Sequence, residues 1–182
     1  MDTIQTSFNR YVNACKSQWL TGGKRYALDK HQEKEYTDLI CEVVGNEWIG
    51  GNILKYAGEI SNYDRFDGVM PEVDFFKIGT YCFIWWLKEF KHPTTGVRLK
   101  KAHWEEFIQG CYGLVCTKHV EGKIDYTAFI DILKKGIIPY EEKTEYPFFL
   151  CTALAFEWWR RNQGRFMDRD EGEEFNFEGK EV

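Results

Sequence analysis

The residues of this sequence best suited to chemistry are two short sets of acidic residues. Glu35, Asp38 and Glu42 are three and four residues apart, so a helix would place them along one edge. Asp64 and Asp67, three residues apart, follow in a later loop. Carboxylate oxygens are the ligands that Mg²⁺ prefers, and neighbouring helices can bring them to one cation. The sequence therefore predicts a Mg²⁺ site, with a solvated acidic helix face as the alternative.

One lysine is a candidate for binding the phosphates of a ligand. Lys55 lies in the stretch Asn52–Lys55, which resembles Asp131–Lys134 later in the chain. A lysine ammonium can bind phosphate, but a lysine at a helix end also commonly extends its charged tip into water. Both interpretations of Lys55 stay open from the sequence alone.

Two tryptophan pairs, Trp85-Trp86 and Trp158-Trp159, are candidates for an interface. Adjacent residues on a helix point about 100° apart, so both members of a pair cannot face the same core. One member of each pair is expected at a contact between two parts of the chain, at a partner protein, or in a pocket that stacks a base.

Other catalytic patterns are absent from the sequence. The patterns GxxxxGK[ST], GxSxG, HExxH and CxxC do not occur. The six cysteines all lie among apolar neighbours, which indicates reduced thiols in the core of a cytosolic protein. The amino terminus has no secretory type of sequence.

The stretch 74–90 predicts a central helix that positions the rest of the chain. Its apolar residues cover most of a helix surface, which favours burial on several sides. These residues are Phe75, Phe76, Ile78, Phe83, Trp86, Leu87 and Phe90, widened by Tyr81, Cys82 and Trp85. The uninterrupted apolar run from Tyr81 to Leu87 is far shorter than the roughly 20 residues that cross a bilayer.

The aromatic pattern of this helix returns in the second half of the chain. A single offset, the one that carries Phe75 onto Phe148, aligns five aromatic residues. At this offset Phe75, Phe76, Phe83, Trp85 and Trp86 fall on Phe148, Phe149, Phe156, Trp158 and Trp159. Two shorter resemblances precede them in the same order, 52–55 with 131–134 and 39–41 with 114–116. We interpret this as a tandem duplication of a three-helix unit.

The predicted fold is an all-α bundle of six to seven helices, because no segment alternates with a period of two. Its parts are an N-terminal helix and loop (1–33), two three-helix units (34–100 and 101–164) and an acidic tail (165–182). The first helix has no predicted counterpart in the second unit, so it would cover the bundle or contribute to a homodimer. Phe166, Phe175 and Phe177 could dock the tail.

The charge pattern limits the classes of partner. The net charge is −5, and residues 165–182 carry seven acids against three bases. No basic stripe is present to neutralise phosphates in series, so a nucleic acid is not the expected partner.

The segment Gly51–Tyr56, G-N-I-L-K-Y, followed by the aromatic helix that ends F-I-W-W-L-K, resembles a small phage domain. That domain occurs at the end of the nucleotide kinases of podophages and as a free-standing phage protein. Its pattern is a G-N-x-x-K-Y helix and then a helix of the form DLxKAxxYL. The resemblance extends from Gly51 to Lys88 and implies a phage protein of the host cytoplasm, acting near nucleotides.

A second resemblance is to the all-α dATP/dGTP pyrophosphohydrolases of phages, of the MazG type. It is carried by Gly51–Tyr63, compared with a G-x-x-K-Y-x-x-x-N-W-like segment of that family, by the tryptophan-rich helix, and by the turn His92–Gly96. This resemblance implies pyrophosphate chemistry with Mg²⁺.

The function expected from the residues and these resemblances is Mg²⁺-dependent binding or conversion of nucleotides. The first alternative is a non-enzymatic factor that binds a host protein through the acidic tail or an exposed tryptophan. The second is a virion or assembly component.

Overall fold

The computed structural model describes residues 3–26, 36–66, 68–91, 101–117, 122–166 and 176–179. Within them the chain forms helices α1 (Ile4–Tyr26), α2 (Tyr36–Val44), α3 (Glu47–Arg65), α4 (Glu72–Phe90), α5 (Lys101–Thr117), α6 (Tyr126–Ile132) and α7 (Tyr146–Arg161). A π-helical turn, Leu133–Ile137, extends α6. These ranges contain no strand beyond an isolated bridge between Met70 and Phe166, so the all-α prediction is confirmed.

Helix α4 is the central helix of the bundle. Fourteen of its nineteen residues are buried, so it has no wide solvent face. Helices α1, α3 and α7 all pack against it. Among the described helices, none is long and apolar enough to cross a membrane.

Helices α4 and α7 run antiparallel and exchange equivalent contacts. The ring of Phe75 lies 5.5 Å from that of Trp158, and the ring of Trp85 lies 5.2 Å from that of Phe148. The offset that aligns Phe75 with Phe148 also aligns Trp85 with Trp158. The two contacts are therefore equivalent. Helices α4 and α7 are thus related by a local pseudo-twofold axis between them.

Two hydrogen bonds repeat the same relation. Trp159 Nε1 donates to Glu72 at 3.0 Å, and Trp86 Nε1 donates to Glu145 at 3.4 Å. Glu72 and Glu145 are separated by the same offset as the aromatic residues. A buried indole N–H needs such a partner, and each half supplies it to the other. A gene duplication as the origin of this relation stays a prediction.

Helix α1 takes the place in the first half that α5 takes in the second. Tyr11 of α1 contacts the rings of Phe76, Phe156 and Trp159. Phe107 of α5 contacts the rings equivalent to these three, Phe149, Phe83 and Trp86. The expectation that the first helix has no counterpart is therefore wrong, because α1 and α5 make equivalent contacts. Their sequences share no obvious pattern, so this equivalence could not be seen in the sequence. The resemblance of 39–41 to 114–116 does not mark equivalent positions.

A glycine allows close packing both of α1 against α4 and of α5 against α7. A Cβ added to Gly79 of α4 would lie 2.7 Å from the Sγ of Cys15 on α1. A Cβ added to Gly110 of α5 would lie 2.5 Å from the Phe149 ring on α7. Glycine is required at both positions because any side chain would separate the helices.

Parts of the C-terminal region pack onto the bundle. The ring of Phe166 lies 5.6 Å from that of Phe75. Phe177 stacks on Trp159 at 6.4 Å, and the Arg10 guanidinium lies 5.0 Å from its centroid. Docking of these two phenylalanines agrees with the sequence expectation, and Phe175 lies outside the described residues.

The cysteines should differ sharply in reactivity. Cys116 is exposed and the other five thiols are buried. Burial raises the pKa of Cys15 and of Cys111, and raises that of Cys41 to about 11. Only the thiolate reacts with an alkylating reagent, so iodoacetamide at neutral pH should label Cys116 first. Mass spectrometry of the native protein should give a single modification at Cys116, and Cys116→Ser should remove it. Equal labelling of Cys111 would contradict the described core.

Candidate functional site

The first predicted acidic set is not a solvated edge with three equal members. Asp38 is 1% exposed, and its carboxylate accepts a hydrogen bond from the ammonium group of Lys88, which is 5% exposed. Glu42, one turn later on α2, is exposed. Glu35 lies outside the described residues. Asp38 is therefore part of a buried ion pair that connects α2 to the C-terminal end of α4.

The second acidic set lies at the other end of α4. Asp64 accepts a hydrogen bond from Arg165 Nη1 at 2.8 Å, and the backbone of Arg165 pairs with that of Met70, just before α4. Lys88 lies more than four turns into α4, about 24 Å along its axis. The structure thus does not bring Asp38 and Asp64 together, and Asp67 lies outside the described residues. The residues that the structure describes contain no group of three or more His, Cys, Asp or Glu suited to a metal.

The four tryptophans of the two pairs lie in the core. Their exposed fractions are 0% for Trp85 and Trp86, 2% for Trp158 and 3% for Trp159. Each pair packs between the two chain halves, which is one of the alternatives predicted for them. The other two alternatives, a partner protein or a base at one tryptophan of each pair, do not fit this structure, because all four rings are buried. Of the seven tryptophans, Trp48 alone is partly exposed.

A second set of polar and aromatic side chains converges where α3 packs against α4. We call it the α3–α4 face, and it consists of Trp48, Asn52, Lys55, Tyr56 and Glu59 of α3 with Asp74, Lys77 and Tyr81 of α4. Positions 48, 52, 56 and 59, and positions 74, 77 and 81, are spaced by three or four residues, so each set lies on one side of its helix. Antiparallel packing of the two helices sets the two rows side by side.

One end of the α3–α4 face is aromatic. Tyr56 and Tyr81 stack with ring centroids 5.9 Å apart and an interplanar angle of 17°. Trp48 meets Tyr81 edge to face at 6.3 Å. Asn52, between Trp48 and Tyr56 on α3, donates through Nδ2 to the Trp48 carbonyl at 3.1 Å. This bond fixes the Asn52 side chain beside the rings.

The other end of the face is charged. The ammonium groups of Lys77 and Lys55 lie 4.9 Å and 5.4 Å from the centroid of the Tyr56 ring. Beyond them, the carboxyl groups of Asp74 and Glu59 are within hydrogen-bonding reach of each other. Lys55 is exposed and Lys77 is half-buried, so both cations can contact a ligand from solvent.

The pKa of Asp74 is raised from its ordinary value of 3.8 to about 7. Burial is the largest cause, since it disfavours the charged form, and the neighbouring carboxyl of Glu59 adds to it. Lys77 and Lys55 lower the pKa of Asp74 in part. A carboxyl that titrates near neutral pH beside two lysines is typical of functional sites, although ion pairs also perturb pKa values.

The second half of the chain shows what packing alone requires. At the offset that relates the halves, Asp74, Lys77 and Tyr81 correspond to Pro147, Leu150 and Leu154. Pro147 and Leu154 are buried and Leu150 is half-buried. An equivalent helix therefore packs with apolar residues at all three positions. Because burying a carboxyl costs free energy, the polar residues of α4 call for an explanation other than packing.

Sequence reasoning identified Lys55 on this face but missed its other members. The signal was present in the resemblance to the small phage domain, whose second helix has the form DLxKAxxYL. The Asp, Lys and Tyr of that pattern fall on Asp74, Lys77 and Tyr81. The G-N-x-x-K-Y helix supplies Asn52, Lys55 and Tyr56. The residues of the first helix of that pattern lie on α3 and those of the second lie on α4, and the two sets are in contact.

Fold and site together define an all-α helical bundle with a polar face between α3 and α4. Comparison of the chain with family models, with curated proteins and with solved structures finds no match. The function therefore has to be inferred from the site.

Asp74 should make stability fall as pH rises. Its pKa is higher in the folded state, so the stabilising contribution is complete below 3.8 and is lost as pH approaches about 7. The Asp74→Asn variant cannot lose a proton, so it should gain stability over the wild type as pH rises. Its advantage in free energy of unfolding should be about 2 kcal/mol larger at pH 7.5 than at pH 4, after allowance for screening. Urea unfolding without divalent cations measures this. A difference that stays constant with pH would contradict the shift.

Proposed function

We propose that the protein binds nucleotides on the α3–α4 face, with phosphates at its charged end and the base at its aromatic end. The observation that carries the proposal is the position of the Lys55 and Lys77 ammonium groups, both about 5 Å from the Tyr56 ring. One short surface thereby offers cations for phosphate oxygens and ring faces for a base.

The phosphate end is supported by the charges. Lys55 and Lys77 come from different helices and are held by the same ring, which reduces the side-chain freedom lost when an anion binds. Lysine binds phosphate as a point charge and does not need the fixed geometry of an arginine fork. The exposed position of Lys55 leaves it accessible.

The base end is supported by Trp48. It is the partly exposed tryptophan of this chain, and it lies at the aromatic end of the face. Stacking on an aromatic side chain contributes about 1–3 kcal/mol per base. The base contact expected from the buried tryptophan pairs is thus reassigned to Trp48.

Titration with nucleotides in the presence of Mg²⁺ tests the proposal. Binding should change the fluorescence of Trp48 and raise the melting temperature, because a ligand of the native state stabilises it. Trp48→Phe should remove most of the fluorescence response and retain the thermal shift, since the other six tryptophans are buried. Absence of any thermal shift with purine or pyrimidine nucleotides at millimolar concentration would contradict the proposal.

The chemistry expected on bound nucleotides is phosphoryl or pyrophosphate transfer with Mg²⁺. The resemblances to phage proteins support this expectation and the host cytoplasm as the place of action. Incubation with nucleotides and Mg²⁺, followed by chromatography of the products, separates an enzyme from a nucleotide-binding protein.

A second candidate function is binding of a host protein. The observation in its favour is the exposure of three apolar residues on α2: Leu39 at 37%, Val43 at 83% and Val44 at 60%. Such residues together on one helix can form part of an interface. Replacing Val43 and Val44 with serine should abolish capture of a host protein and leave nucleotide binding intact. A virion role and a homodimer stay predictions from the sequence.

A further inference from the structure

Two carboxyl groups of the α3–α4 face lie against each other with no donor between them. Asp74 is 4% exposed, and its Oδ2 has no hydrogen-bond partner among the described residues. The carboxyl of Glu59, on the neighbouring helix, is within hydrogen-bonding reach. Asp74 reaches this position from the first turn of α4, whereas Glu59 reaches it from the last third of α3.

Such a pair is unstable when both carboxyls are ionised. Two like charges in contact disfavour each other, and burial disfavours the charge on Asp74 further. Either a proton or a cation must lie between the oxygens. A divalent cation can satisfy the unpartnered Asp74 oxygen and the Glu59 carboxylate together, since carboxylate oxygens are hard ligands.

We propose that Glu59 and Asp74 bind one divalent cation of the Mg²⁺ class, which bridges α3 and α4 at the charged end of the face. Mg²⁺ characteristically binds one or two protein carboxylates and completes its octahedron with water and ligand phosphates. Two carboxylates are therefore sufficient without a third acidic group.

This site differs from the one predicted by sequence, which used Glu35, Asp38, Glu42, Asp64 and Asp67. Asp38 and Asp64 are engaged by Lys88 and Arg165. In contrast, the cations nearest to the Asp74–Glu59 pair, Lys77 and Lys55, are held at the Tyr56 ring.

The charges around the pair predict how the ion should behave. Lys77 on α4 and Lys55 on α3 are the cations that face it, and both oppose a second positive charge. The ion alone should therefore bind weakly, and a phosphate ligand that neutralises the lysines should tighten it. This coupling rests on the proposed nucleotide function, whereas binding of the ion by itself does not.

Titration of the full-length protein with Mn²⁺ alone, followed by water-proton relaxation or electron paramagnetic resonance, tests the site. One Mn²⁺ should bind per chain and be displaced by Mg²⁺. Glu59→Gln and Asp74→Asn should each weaken Mn²⁺ binding at least tenfold. Glu72→Gln is the matched control because Glu72 is a buried carboxylate two residues from Asp74 that accepts from Trp159; it should leave the affinity unchanged.

Proton release distinguishes the two ways in which the pair can be satisfied. Near pH 6.5, binding of Mn²⁺ should release a proton into weak buffer from the wild type and none from Asp74→Asn. Circular dichroism confirms folding of each variant, and Glu59→Gln keeps the test valid if Asp74→Asn is unfolded, because Glu59 is only half-buried.

The outcomes separate this inference from the proposed function. Nucleotide binding that is indifferent to Mg²⁺ and to Glu59→Gln would contradict the coupling between the ion and the nucleotide and leave the nucleotide proposal standing. If both variants lose Mn²⁺ binding but the wild type binds no nucleotide, the cation site is supported and the nucleotide proposal is contradicted. Unchanged Mn²⁺ affinity in both variants would overturn the cation site, whatever the nucleotide titration shows.

Discussion

Replacing Lys88 with methionine is expected to lower the free energy of unfolding by about 3 kcal/mol, because it leaves the Asp38 carboxylate buried without its cation. Asp38 and Lys88 are 1% and 5% exposed, so water cannot take the place of the lost partner. Methionine keeps most of the volume of the lysine stem, which limits the effect of packing. Urea unfolding followed by circular dichroism measures the change.

The double variant Asp38→Asn with Lys88→Met is the matched control. It removes both charges, so it should recover at least half of the lost stability. Hydrogen exchange should show the damage concentrated in α2, which this ion pair fastens to α4. A Lys88→Met protein as stable as the wild type at neutral pH would contradict the buried ion pair.

Replacing both Lys55 and Lys77 with alanine is expected to weaken nucleotide binding about a hundredfold. Each charge-assisted hydrogen bond to a phosphate contributes about 1.5 kcal/mol or more, and tenfold in affinity corresponds to about 1.4 kcal/mol. Isothermal titration calorimetry measures the loss at fixed Mg²⁺ and ionic strength, since salt screens these contacts.

The second half of the chain provides the control for this prediction. Lys134 and Lys135 are both exposed and lie on the π-helical turn after α6. Their replacement with alanine changes the net charge by the same amount outside the α3–α4 face and should leave the affinity within about twofold. Equal losses in the two double variants would show a diffuse charge effect, and the α3–α4 face would lose its assignment.

The aromatic helices could be predicted from sequence because their pattern is dense and repeated. Phe75, Phe76 and Trp86 all reappear in the second half at one constant offset, and this spacing anticipated both α4 and α7. Their mutual packing follows from physics: two helices that are apolar on most sides must bury those sides against each other. The all-α class could be predicted for the same reason.

The role of α1 could not be predicted. Its core residue Tyr11 takes the place of Phe107, but the surrounding residues of α1 and α5 differ in type. Equivalence of position depends on which rings a helix touches, and that information lies in three-dimensional contacts. A sequence pattern shows that a helix has an apolar side but not which neighbour covers it.

The acidic residues illustrate a second limit of sequence reasoning. Asp38 has the spacing of a solvated helix edge, yet it pairs with Lys88, which is distant in sequence. Asp74 lies inside the most apolar stretch of the chain and gave no signal of chemistry by spacing alone. Partners from other parts of the chain decide which carboxyl is structural and which is available to a ligand.

Amide chemical shifts recorded during titration with a Mg²⁺-nucleotide complex test the location of the site directly. We predict that the largest shifts fall on residues 48–59 of α3 and 74–81 of α4, and that residues 131–138 and 147–154 of the second half change little. Shifts confined to the second half or to α2, or no shifts at saturating nucleotide, would contradict the assignment of the α3–α4 face.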